Sequence, residues 1–139
     1  MLQLAAYAGL RRSEIAALQT RALVGDTLRV KGKGGKVRVV PVLNAELLAA
    51  LEAIPPGFVF PGNDHGHQSP NWVGRQMARA LGPGWTAHTL RHRFATMAYS
   101  HGRDLLSVQE LLGHSKPETT ARYTAVPDGA LRAAVEAAS

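Results

Sequence analysis

The chain has no cysteine, so disulfide staples, iron–sulfur clusters, thiolate zinc sites and thiol nucleophiles are excluded together. Long apolar runs are missing as well, the longest extending over only a few residues, and no basic-then-apolar leader opens the sequence. Neither a membrane partner nor export is expected from such a pattern, and the expectation is a soluble, cytoplasmic protein. Acidic residues are in short supply, 10 Asp and Glu against 16 Lys and Arg, for a net charge of +6. Lysine is scarcer still, because 12 of those 16 bases are arginine, whose planar fork suits phosphate better than a point charge. Division at residue 70 leaves 8 bases and 5 acids on either side, so the excess is spread along the chain and not gathered in a tail. A polyanionic partner fits this balance. Internal repeats, low-complexity tracts and interdomain linkers are absent too. What remains is 139 residues, 45% of them hydrophobic, enough for one domain with a sizeable core.

Apolar periodicity and chain breakers divide that domain. LQLAAYAGL reads as an apolar helix stopped by Gly9, and RRSEIAALQ restarts helical spacing with Ile15 and Leu18 on one face. TLRVKGKGGKVRVVPV predicts a basic β-hairpin turning at Gly32, Gly34 and Gly35. A helix capped by Asn44 follows and halts at Pro55 and Pro56, and VFPG is expected as a third small strand. GNDHGHQSP reads as loop, and Ser69 with Pro70 opens a helix running to about Leu81. Further helices are expected over 87–100, 104–112 and 116–124, the last announced by a capping box of Ser115 and Glu118, with an alanine-rich helix over 127–139. The fold class is therefore α+β, mainly helical, with one small antiparallel sheet.

Four motifs carry groups able to do chemistry: GLRRSE at 9–14, KGKGGK at 31–36, HTLRH at 88–92, and LLGH at 111–114 followed nine residues later by Tyr123. Each has an ordinary structural explanation when taken alone. Arg11 and Arg12 are acceptable at a solvated helix start, lysines decorate glycine-rich turns, and His65 and His67 lie in a polar loop. His88 and His92 stand four apart, as metal ligands on a helix can, but threonine fills position 89 where the usual motif has glutamate. No metal site is expected.

The ordered set resembles the signature of the tyrosine recombinases, the phage integrase family of site-specific DNA recombinases. His88 precedes Arg91 by three residues, Arg91 precedes His114 by 23, and His114 precedes Tyr123 by nine. Such intervals occur in that family, and the similarity extends from about residue 5 to about residue 126. Carried over position by position, the resemblance implies that Tyr123 is the nucleophile, that Arg11 and Arg91 clamp the scissile phosphate, and that Lys33 is the general acid. It places His88 at the first histidine of the H-x-L-R-H motif, His114 at the histidine-or-tryptophan position, and Glu14 at an acidic position that supports the site without reacting. Lys31 and Lys36 stand close enough to Lys33 that a small change of hairpin register exchanges them, so all three remain open for the acid.

The implied chemistry suits these residue types. Attack on a phosphodiester concentrates negative charge on the non-bridging oxygens, to which guanidinium forks donate paired, charge-assisted hydrogen bonds. A tyrosine of ordinary pKa about 10 needs positive surroundings and an acceptor for its proton, a role open to His88, while a lysine on the hairpin protonates the departing 5′-oxygen. His114 would donate to a phosphate oxygen. The 3′-phosphotyrosine conserves the energy of the broken bond, so neither metal nor ATP is required and no cofactor is expected.

The same resemblance implies double-stranded DNA attachment sites as partner, a homotetramer on DNA, accessory DNA-bending proteins, and a bacterial or phage-infected cell as setting. Lys31, Lys36, Arg38, Arg75 and Arg79 are the expected additional DNA contacts, from the hairpin and the 69–81 helix. Helix 127–139 is either a docking element for a neighbouring subunit or a helix packed on its own domain. Only ten residues precede Arg11, where family members usually have more helices and a core-binding domain. The chain is therefore expected to be the catalytic part of a longer recombinase. A type IB topoisomerase, with similar 3′-phosphotyrosyl chemistry, and a non-catalytic DNA-binding recombinase fragment are the competing functions.

Overall fold

The computed structural model describes residues 1–102, 104–113 and 128–138. Helix α1 (Leu2–Tyr7) turns sharply at Gly9 into α2 (Arg12–Ala16). Gly9 has φ +62°, and a Cβ there would lie 2.6 Å from Cδ1 of Phe94, a ring with no exposed surface. Only glycine permits both that backbone angle and that closeness. The turn brings the motif following α1 directly against the core. Ile15 and Leu18 are both buried, as their spacing predicts, although the helix itself ends at Ala16.

The hairpin forms as expected from β2 (Thr27–Lys31) and β3 (Val37–Pro41), antiparallel, with Val30 opposite Arg38 and Lys31 opposite Val37. A short 3₁₀ turn over Lys33–Gly35 joins them, closed where the Gly32 N–H donates to the Lys36 carbonyl at 2.8 Å. The third strand of the sheet is β1 (Leu23–Val24), paired on the far side of β2, while the small strand expected at VFPG forms in part, from Pro61 onward. This strand, β4 (Pro61–Asp64), folds back through bridges to His67, outside that sheet. Two residues are too few for β1 to show alternation, which is why periodicity passes over it.

Helix α3 (Ala45–Glu52) is capped by Asn44, whose Oδ1 accepts from the Leu47 N–H at 2.8 Å. Helix α4 (Pro70–Leu81) begins as its sequence dictates, with Ser69 Oγ accepting from the Trp72 N–H and Pro70 in the first turn, and stops at Gly82. Helix α5 (Ala87–Gly102) is the central element, packed against α1 and α7 (Asp128–Ala138). Helix α6 (Leu105–Leu112) is capped by Asp104 and packs on α5, α7 and β3. Leu4, Leu10, Ile15, Leu28, Val40, Val73, Met77, Phe94, Leu111 and Val135 form one continuous core joining helices to sheet. The molecule is thus mainly helical with a small three-stranded antiparallel sheet.

Helix α7 lies on its own domain, burying Ala134, Val135 and Ala138, while Arg132 pairs with Asp26 beside the sheet. The expected helix over 116–124 and its capping box lie outside the described residues. Among the described residues no helix is long and apolar enough to cross a membrane.

Candidate functional site

Arg11 stands in extended conformation immediately before α2 (φ −74°, ψ 153°). Glu14, one turn later, reaches back and fixes it twice: Oε2 accepts from the Arg11 backbone N–H at 2.7 Å, and Oε1 accepts from Arg11 Nη1 at 2.9 Å. The first contact satisfies an N–H at the start of the helix that has no acceptor within it. The spacing of GLRRSE thereby sets both the helix start and the direction of the guanidinium.

Arg91 comes from α5 and is buried, with 6% of its surface exposed. Its Nη1 donates to the carbonyl of Gly9 and its Nη2 to that of Leu112, the latter at 2.5 Å. Burial first, then the neighbouring Arg11 and Arg38 cations, lower its pKa to about 10, with Glu14 opposing. At neutral pH Arg91 therefore remains a cation, at some cost from burial and from the neighbouring cations. An anion bound beside it would offset part of that cost.

His88 lies one turn before Arg91 on α5 and is exposed. Its ring meets that of His92 edge to face, centroids 4.6 Å apart. Thr89, in the position that lacks a glutamate, caps the helix instead: the Thr89 N–H donates to Thr86 Oγ1 at 3.3 Å and the Thr86 N–H to Thr89 Oγ1 at 3.2 Å.

Arg11, Arg91 and His88 open onto one cleft of about 800 Å³, also lined by Arg12, Arg75 and Asn71. Among the described residues no acidic side chain lines it. Four guanidinium groups around one space make it electropositive and suited to an anion. Arg12 was not among the sequence candidates; its place after Arg11 gave no sign that it would face the cleft, beside Gly74 of α4.

The remaining candidates divide. Arg75 lines the cleft, whereas Arg79, one turn along α4, is exposed outside its lining. Lys31, Lys33 and Lys36 are exposed at the hairpin end, and none of them lines the cleft with the arginines. Arg38 corrects its expected role as a surface DNA contact: only 7% of its side chain is exposed, and its donors point inward. Nη1 and Nη2 donate to the two oxygens of Glu14 at 2.6 and 2.8 Å, and Nε donates to the Leu111 carbonyl at 2.6 Å. Val37 and Val39 take the outward positions of β3 instead. An inward arginine is stable here because Glu14, from another element, supplies the counter-charge. Burial alone would raise the Glu14 carboxyl, but hydrogen bonds from Arg38 and Arg11 hold it below its ordinary 4.5. His114 and Tyr123 lie outside the described residues.

Comparison with known proteins places this arrangement among relatives. Residues 1–129 match the phage integrase family. Tyrosine recombinase XerC of Mesorhizobium japonicum is 40% identical over 146 residues, covering 94% of this chain and 47% of that protein, and XerC of Rhodospirillum centenum is 43% identical, covering 85% and 39%. Among solved structures, the integrase from mycobacterium phage Brujita superposes with a TM-score of 0.85 at 34% identity, covering 99% of this chain and 50% of that one. XerH site-specific recombinase bound to its difH substrate gives a TM-score of 0.63 at 29% identity, covering 83% and 39%. The chain thus spans about half the length of the curated relatives it matches.

Proposed function

Because the chain belongs to the phage integrase family of tyrosine recombinases, we propose that it carries the catalytic part of a site-specific DNA recombinase. In this reading it cuts and rejoins double-stranded DNA through a 3′-phosphotyrosyl intermediate on Tyr123. One observation carries the proposal: Arg11 and Arg91, distant in sequence, converge on one cleft together with His88, Arg12 and Arg75, with no acidic side chain lining it among the described residues.

Each step follows from a group's chemistry. Arg11 and Arg91 spend part of their donors on backbone carbonyls and on Glu14, which orients them, and their remaining N–H groups serve the non-bridging oxygens of the scissile phosphate. As Tyr123 attacks phosphorus, its phenolic proton passes to His88. The P–O5′ bond breaks, and Lys33 at the hairpin turn supplies the proton to the leaving 5′-oxygen, with Lys31 and Lys36 as its neighbours on the DNA. His114 donates to a phosphate oxygen. Rejoining reverses these steps, with an incoming 5′-hydroxyl attacking the phosphotyrosine and regenerating the phenol. Arg12, Arg75 and Arg79 hold the flanking backbone. Recombination between two duplexes calls for four strand cleavages, and the reading includes a tetramer assembled on paired attachment sites with DNA-bending accessory proteins. The XerH structure bound to difH supports DNA sites as the partner class.

Covalent trapping tests the proposal. The chain is incubated with nicked duplexes bearing candidate attachment sequences, with EDTA present, and denaturant-resistant adducts are mapped by mass spectrometry. The expected result is an adduct on Tyr123 that is lost in Tyr123→Phe and in Arg91→Ala. A strand-exchange substrate then separates a recombinase from a topoisomerase, which would relax supercoils alone and without a preferred site. Salt-sensitive DNA binding with no adduct from any nicked substrate would leave a binding module in place of an enzyme.

A further inference from the structure

Arg38 is the buried charge that the cleavage scheme does not use. Its surroundings are specific. The side chain crosses the inner side of β3 to Glu14, which it meets with both Nη atoms, and Nε turns aside to the carbonyl of Leu111. The three last carbonyls of the α6 segment are thereby shared among three arginines: Leu111 to Arg38, Leu112 to Arg91 and Gly113 to Arg11. Those carbonyls form the negative end of the helix dipole, a favourable place for cations. Gly113 (φ +59°) packs so closely that a Cβ would lie 3.1 Å from Arg38 Cδ. At the other end of the guanidinium, a Cβ on Gly32 at the base of the lysine turn would lie 3.5 Å from Glu14 Oε1 and 3.7 Å from Arg38 Nη1. From its own place on the second strand of the hairpin, one planar group thus bonds the start of α2 and the end of α6.

We propose that Arg38 is a positioning residue: through Glu14 and the Leu111 carbonyl it fixes the Arg11 guanidinium, the Leu111–Gly113 end of α6 and its own hairpin in one mutual geometry. The role rests on the strand-cleavage reading above, since it acts through residues assigned there. Only arginine can fill it. A lysine supplies the charge but has one nitrogen, and cannot hold both carboxylate oxygens and a carbonyl lying in different directions. Displacement of a clamp by a fraction of a bond length affects the cleavage step far more than it affects attraction to DNA.

The test compares wild type, Arg38→Lys, Arg11→Lys and the double variant in the full chain, with thermal unfolding, DNA affinity in a Tyr123→Phe background, and single-turnover adduct formation at saturating nicked DNA. Arg38→Lys retains a cation beside Glu14, so it folds and binds DNA within about threefold of wild type while adduct formation slows by about 30-fold or more. Because Arg38 acts through Arg11, the two substitutions are markedly less than multiplicative in the double variant. The proposal is overturned if the wild-type rate persists in folded Arg38→Lys, or if the two losses simply multiply, which would mark a stabilising ion pair and nothing more. An absence of wild-type adduct would overturn the cleavage reading itself, and the positioning role with it.

Discussion

Glu14 keeps its charge inside the protein because Arg38, the Arg11 backbone N–H and the Arg11 side chain surround it, outweighing the burial that would otherwise raise its pKa. The carboxyl titrates below its ordinary 4.5 when folded and returns toward that value on unfolding. Its stabilisation is therefore fully present above that value and fades as pH falls through the lowered folded pKa. Removal of one member of a buried pair costs about 3 kcal/mol, so Glu14→Gln should lose roughly that much at neutral pH. Urea titrations between about pH 7 and pH 3 should show the gap to wild type narrowing on the acid side. A gap independent of pH would mean that Glu14 contributes through shape and not through charge. A second prediction at this scale concerns Gly9. Gly9→Ala meets both an unfavourable φ and the Phe94 ring, and the backbone penalty alone is about 1–2 kcal/mol. Its denaturation midpoint should fall well beyond what an ordinary glycine-to-alanine change in a loop produces.

Among the elements, α6 shows how local and distant signals combine. Its beginning is written locally: Asp104 Oδ1 accepts from the Leu106 and Ser107 N–H groups, and Oδ2 accepts from Ser107 Oγ at 2.6 Å. Asp104→Ala should cost about 1 kcal/mol in equilibrium unfolding and speed amide exchange at Leu106 and Ser107. Unchanged exchange there would show that tertiary packing alone holds the first turn. The other end of α6 is held by arginines from β3, α5 and the α2 start, and no local pattern announces that. The same contrast decides what could be read in advance. Asn44, Ser69 with Pro70, and the glycines at 9 and 113 punctuate the chain locally, so most helices stand where expected. Arg38 could not be placed in this way. VRVVP has valines on both faces, so alternation names no inward side, and the carboxylate that draws Arg38 inward lies 24 residues earlier. The motifs single out Arg11, His88 and Arg91, which the fold brings to one cleft, while nothing in the sequence singles out Arg12, on the same cleft beside α4.

At the scale of the whole molecule, the net charge of +6 has a direction, since four arginines meet at a cleft that no acid lines among the described residues. Arg75 reaches that cleft from α4, away from the Glu14 network. Arg75→Ala should weaken DNA binding about equally for all sequences and lower the slope of log affinity against log salt by about 1. An unchanged slope would remove Arg75 from the phosphate contacts. The cleft is also assembled from remote parts of the chain: the Arg91 bond to Gly9 spans 82 residues, and the Arg11 bond to Gly113 spans 102. Contacts of such separation form late, after large loops have closed, whereas the positive charges are present on the chain from the start. On the strand-cleavage reading proposed above, a half-folded copy has the cations that attract DNA but not yet the arginines in position to hold a phosphate. The long-range bonds would then act as a safeguard, withholding breakage until folding is finished.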